Sequence, residues 1–184
     1  MKLKPKLILG MISAIIFTSF ILTFISIRQF KDVKYNDFRS TIINISSTLA
    51  SMFTLNKDID KEIIQEYFNR VVSLSFNDKD AQLDFIYLLF RDNERKPISY
   101  AFNFRKIKSD NIRITNARGF QITEEEQQLL SSVQDDISIQ GKDIKEFQIP
   151  IVVNNNARGV LYIGYSLTLV NNTVNRIIAQ SIII

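Results

Sequence analysis

The chain contains no His and no Cys, which removes most of the side chains that do covalent or metal-assisted chemistry. Cys nucleophiles, His-based triads, thiolate zinc sites, disulfides and a lipid-modified N-terminal Cys are all excluded. Paired carboxylates, Ser–Lys arrangements and metal–carboxylate sites remain. The clustered acids are Asp58/Asp60, Asp78/Asp80 and Asp135/Asp136. Each falls at a helix end or in a polar break, where acids cap helices or stay solvated. Glu124 to Glu126 fill a first helical turn behind Thr123, in the pattern of a capping box. The expectation is therefore no catalytic residue, no metal and no cofactor.

The other charged cluster is basic. Arg105, Lys106, Lys108, Arg113 and Arg118 crowd a segment, residues 105 to 118, that reads as irregular. Arginines there could hold a carboxylate or phosphate through charge-assisted hydrogen bonds, or the segment could be a solvated loop. The net charge of +4 includes three N-terminal lysines and gives no argument for nucleic acid.

These residues need positioning, and the strongest structural signal is Leu7 to Ile27, a run of 21 residues without a charge. As a helix it is ~31 Å long, enough to cross the hydrocarbon core of a bilayer. It is longer than a usual signal-peptide core and no Ala-x-Ala site follows, so it reads as an uncleaved anchor. Basic residues flank it on both sides: Lys2, Lys4 and Lys6 before, Arg28, Lys31 and Lys34 after. The short basic N-terminus favours N-inside, which puts the following domain outside the cytoplasm. Ile177 to Ile184 is apolar again but too short to span. It reads as the start of a second span, or alternatively as an apolar tail. The expected organisation is a cytoplasmic tail (1–6), a transmembrane helix (7–27), an extracytoplasmic domain (28–176) and the beginning of a second transmembrane helix (177–184).

Beyond Arg28 the helix is expected to continue. Tyr35, Phe38, Ile42, Ile45, Leu49 and Met52 are spaced 3-4-3-4-3, with Ile43, Ala50 and Phe53 widening the stripe. The stripe can pack on the domain's own sheet. It can also pair with a second chain, giving a homodimer through Phe38, Ile42, Ile45 and Leu49. A second helix starts near Asp58 to Glu62 and presents Ile63, Ile64, Tyr67, Phe68, Val71 and Val72. Strands are expected at 83–90, 98–104, 146–153 and 160–167, with a hairpin turn at 154–159 and a final helix from Thr168. Hairpin-linked strands with helices to one side indicate an α+β fold with an antiparallel sheet.

Residues 147 to 176, FQIPIVVNNNARGVLYIGYSLTLVNNTVNR, carry a resemblance. A strand with Pro150-Ile151, a turn ending at Gly159, a strand through Gly164 to Leu167, and a helix leading to the membrane resemble the end of an extracytoplasmic single-Cache domain. That is the PAS-like sensor fold of bacterial transmembrane receptors. The earlier hairpin, DFIYLLFRDNERKPISYAF, fits too, with Asn93-Glu94 where the family often has Asp-Gly. The resemblance covers nearly the whole chain in architecture and about 30 residues in wording. The Trp-containing string of the amino-acid-binding receptors has no counterpart, so an amino-acid ligand is not implied.

The resemblance implies a pocket between the middle strands and the following helix. Arg118 is then the leading candidate to bind a small anionic ligand. Tyr87, Tyr100, Asn103 and Tyr162 on neighbouring strands could line the pocket, although core packing explains each Tyr as well. The expected function is ligand sensing by a receptor in the bacterial inner membrane, with an output domain outside this chain. The alternative is an anchored envelope interaction module without signalling output.

Overall fold

The computed structural model describes residues 3–55, 60–77, 85–116, 121–123, 137–141 and 143–182. The fold is α+β. Its elements are α1 (Leu3–Leu55), α2 (Lys61–Asn77), β1 (Phe85–Arg91), β2 (Pro97–Phe102), α3 (Phe104–Ser109), β3 (Arg113–Asn116), β4 (Ile137–Gln140), β5 (Ile144–Val153), β6 (Asn156–Ser166) and α4 (Thr168–Ile182). The chain divides into two units, Met1–Arg39 with Leu169–Ile184, and Ser40–Thr168.

In the first unit, α1 is long and apolar enough to cross a membrane. Its large apolar side chains from Leu7 to Phe24 are exposed, Phe20 at 71%, the surface an apolar helix would present to lipid. The hydroxyls in this stretch bond within the helix. Thr18 donates to the Ala14 carbonyl at 2.8 Å and Thr23 to that of Ser19 at 2.9 Å. No break interrupts α1 at Arg28, as the sequence predicts. Ala14, Thr18, Ser19, Thr23 and Ser26 share a cavity of about 640 Å³ with Ile177, Gln180 and Ser181 of α4.

The second unit is built on a four-stranded antiparallel sheet in the order β2-β1-β6-β5. Every side chain from Phe85 to Phe90 is buried, which is why β1 shows no polar–apolar alternation in sequence. The β5–β6 hairpin turns on two residues, Asn154 and Asn155, at φ 51° and 61°. Asn tolerates this left-handed region, and paired positive φ values match the twist of the flanking strands. The six-residue turn expected from the sequence is thus two residues long, and β6 starts at Asn156. The register slips beyond Ile151↔Gly159 to Val152↔Ala157, leaving Arg158 as the extra residue of a bulge.

The α1 stripe is largely interior. Phe38, Ile42, Ile45, Leu49 and Phe53 are all buried, and the Phe53 ring lies 5.5 Å from that of Phe90 on β1. Tyr35 and Ile43 are exposed. Phe38, Ile42, Ile45 and Leu49, the residues expected at a dimer seam, are thus buried within the single chain. On α2, Ile64, Phe68 and Val72 turn inward and Ile63 stays exposed. The Asp60 carbonyl accepts the first bond of the helix, from Ile63 N–H at 3.1 Å; Asp58 lies outside the described residues. From α2, Gln65 reaches the sheet edge. Its amide nitrogen donates to the Tyr100 carbonyl at 2.6 Å, and its amide oxygen accepts from Tyr100 N–H at 3.2 Å. One side chain thus satisfies both outward main-chain groups of Tyr100, as a neighbouring strand would.

Two elements depart from the sequence reading. Residues 105 to 118 are not irregular where described: α3 and β3 lie there. β3 pairs antiparallel with β4, matching Ile114 to Ile139, in a second sheet of two strands. The helix expected to open at Thr123 lies, from Glu124 on, outside the described residues, as do Asp78, Asp80, Asp135 and Asp136.

Candidate ligand-binding site

Asn103 fixes where α3 begins. Its side-chain oxygen accepts from Lys106 N–H at 3.0 Å, while its own N–H donates to the Ile86 carbonyl at 2.7 Å. It is an N-cap tied to the central strand. The helix ends in a Schellman arrangement. Ile112 N–H donates to the Ile107 carbonyl at 2.9 Å, and Asn111 takes the left-handed position at φ 53°. Ile107 and Ile112 are buried in the same cluster, which supplies the apolar contact that accompanies this cap.

So anchored, α3 forms one wall of an open cavity of about 1090 Å³. The opposite wall is the start of β3 and residues Gln121 to Thr123. Ile107, Ile112 and Ile122 are the buried base, and Arg105, Lys108, Asn111, Arg113, Gln121 and Thr123 are exposed around it. Three of the described lining residues are cationic and none is acidic. Cations so placed favour an anion, and the planar guanidinium groups suit bidentate capture of a carboxylate or phosphate.

The residues named from the sequence distribute unevenly around this cavity. Arg118 lies outside the described residues. Tyr87 and Tyr100 are buried beneath the cavity, in the cluster that contains its isoleucine base, and Tyr162 packs against that cluster. Asn103 is buried and engaged as the cap. Tyr162 also carries the Arg91 guanidinium 5.7 Å from its ring centre. None of the four is among the residues lining the cavity. The lining includes Arg105, Lys108 and Arg113 from the basic run, and adds Asn111 and Gln121, which the sequence did not single out, and Thr123, which it marks only as a helix cap. Their signal was present in part: Asn103 before Phe104 and Ile107, then Asp110-Asn111, is a cap, a short apolar face and a stop.

Tyr87 has a structural task. Across three strands, Tyr87 faces Gly164 and Gly164 faces Glu146. The ring lies over the glycine, and its hydroxyl donates to the Glu146 carboxylate. Burial, then the hydrogen bond to Glu146 and that residue's charge, pushes the Tyr87 phenol far above its ordinary value. Burial likewise raises Tyr165 and Tyr67, partly offset by the neighbouring Thr41 and Thr48 side chains respectively. These groups keep their protons in the folded state while an unfolded chain loses them near pH 10. The unfolded state then binds fewer protons, so stability falls as pH rises above 10, by up to about 1.4 kcal/mol per pH unit for each of Tyr87 and Tyr165. Urea midpoints measured between pH 9 and 11 should drop, and Tyr87→Phe should make the drop shallower.

A polar chain leads from α3 to α4. Asp110, the C-cap of α3, has a buried carboxylate that accepts from Ser109 Oγ at 3.0 Å and from the Ser166 hydroxyl, with Lys106 Nζ at 3.8 Å. Ser166, at the end of β6, is 1% exposed. Its oxygen in turn accepts from Thr168 N–H at 3.2 Å, the first residue of α4. No protein-family model matches the chain, and no curated protein matches it in sequence.

Proposed function

We propose that this chain is the sensing portion of a bacterial membrane receptor, with Ser40–Thr168 as the ligand-binding unit outside the cytoplasm. The observation that carries the reading is the connection between β6 and α4. The strand lies between β1 and β5, and after the single residue Leu167 the chain enters α4. Leu167 N–H is held by the Asp143 carbonyl at 2.7 Å. A ligand with different affinities for two arrangements of the unit would therefore act on the start of α4 directly. The resemblance to single-Cache domains supports the same reading, since β5 carries Pro150-Ile151, β6 carries Gly159 and Gly164, and α4 follows. The reading assigns residues 7–27 of α1 to the inner membrane, makes the domain non-catalytic, and leaves the output to a part of the receptor outside this chain. The buried stripe of α1 leaves its exposed neighbours, Tyr35 and Ile43, as the side chains through which two copies would pair.

Topology tests it. The chain has no native Cys, so single replacements report cleanly. Asn155→Cys, at the exposed hairpin tip, should react with a membrane-impermeant maleimide in intact bacterial cells, and Lys4→Cys only after lysis. The opposite pattern would place the domain in the cytoplasm and end the reading. The mass of the native polypeptide separates the two functions: much more than 21.3 kDa fits a receptor with an output domain, and a matching mass fits an anchored interaction module.

A further inference from the structure

We propose that the groove between α1 and α4 holds an anionic phospholipid of the surrounding membrane, with an acyl chain along α1 and the phosphate against Arg176. The inference rests on the membrane placement of residues 7–27 and not on the sensing role. Both helices belong to one unit, and Ala14, Thr18, Leu22 and Ser26 of α1 line a cavity of about 640 Å³ with Ile177 and Gln180 of α4. The twelve steps from Ala14 to Ser26 cover ~18 Å along a helix. One leaflet contributes about half of a ~30 Å hydrocarbon core, so the groove runs the depth of a single leaflet.

The walls suit a hydrocarbon chain even where they carry hydroxyls. Thr18, Thr23 and Ser181 donate to carbonyls of their own helices, at 2.8, 2.9 and 2.8 Å. Those protons are not offered to the groove, and Ile15, Leu22 and Ile177 add apolar surface. Polar groups gather at one end. Ser26 lines the groove with Ile177 and is the second-last residue of the charge-free run, so Arg176 stands at the membrane–water boundary. Arg176 and Gln180 are four apart on α4 and share a face, with Gln180 ~6 Å deeper. The polar layer on each side of the hydrocarbon core is about 5–8 Å deep. A phosphate at the Arg176 guanidinium thus brings the ester carbonyls of the same lipid to the depth of the Gln180 amide, a donor that hydrocarbon alone would leave unsatisfied. Arg28, Lys31 and Lys34 against Asp32 on the nearby turns of α1 make the local field positive, which selects an anionic headgroup over a zwitterionic one. At ~100° per residue, Arg28 lies on the far side of α1 from Ser26 and contributes charge without contact.

The test reconstitutes the full chain in nanodiscs of equal phosphatidylglycerol and phosphatidylcholine, transfers it to mild detergent and weighs it by native mass spectrometry. Phosphatidylglycerol should stay bound at least fivefold more often than phosphatidylcholine. Arg176→Gln should reduce its retention at least fivefold, and Arg28→Gln less than twofold. Thr18→Trp fills the groove and should remove the lipid, whereas Phe24→Trp, on an exposed position outside the groove, should keep it. No retained lipid, equal retention of the two lipids, equal losses in Arg176→Gln and Arg28→Gln, or lipid that survives Thr18→Trp would each overturn the proposal. A mass of two chains without lipid would overturn it too and assign the groove to a second copy. A reversed labelling pattern in cells would end the sensor reading and leave this site, which needs only a bilayer, in place.

Discussion

Replacing Ile42 and Ile45 together by Asp should unfold the sheet unit. Both side chains are buried in a single chain, on the turns of α1 between Phe38 and Leu49. Each change removes an apolar side chain worth about 2 kcal/mol of burial. Each also places a carboxyl group where its charge has no partner, at a cost of several kcal/mol more. Two such changes together are as large as the ~5–15 kcal/mol that holds a typical domain together. Near-ultraviolet circular dichroism and protease resistance of the nanodisc-embedded chain should both be lost. If the double variant instead kept its fold and only changed from dimer to monomer, the stripe would belong to an intermolecular seam.

The second large effect is expected at Gly159. Its φ is +153°, a backbone conformation that side chains avoid, and an added Cβ would meet the Arg91 carbonyl oxygen at 2.1 Å and the Phe90 ring at 2.8 Å. The obstacle is backbone of the central strand, which cannot step aside as a flexible side chain can. Strain of about 1–3 kcal/mol and overpacking of about 1–3 kcal/mol should combine, so Gly159→Ala should lose roughly 3–5 kcal/mol. Gly164→Ala meets the Tyr87 ring and has no such φ, so it should lose less, about 2 kcal/mol. Urea titration of both variants checks the order. Equal losses, or a harmless Gly159→Ala, would mean that β1 and β6 can separate at the bulge.

Much of the frame was legible because it rests on local patterns. The charge-free run, the 3-4 spacing from Phe38 to Leu49 and the Asn-rich hairpin each act over a few neighbouring residues, and the structure places α1 and the β5–β6 hairpin accordingly. The turn itself is shorter than its composition suggests. Asn154 to Gly159 holds more turn-forming residues than a turn needs, because Gly159 serves a close approach to Arg91 and Arg158 sits in a bulge. The site was harder to read. α3 is six residues long, with Phe104 and Ile107 as its apolar anchors among three basic residues, too short for a period to show. β3 and β4 are four residues each, and their partner choice depends on contacts more than 20 positions away. The basic run was visible as composition. Its arrangement around an isoleucine base, and the burial of the tyrosines beneath it, depend on the sheet.

Gln65 has a consequence for assembly. With its amide bonded to both main-chain groups of Tyr100, and α2 beside β2, that side of the sheet is stoppered against strand addition. The other outer strand is β5, and no described strand pairs with its far side. Main-chain pairing between copies is thus directed to one edge. Two molecules joined β5 to β5 would present β2 at both ends and could recruit no third. Among the described residues, this sheet is thus open to pairing at β5 and obstructed at β2, which disfavours growth into a fibre.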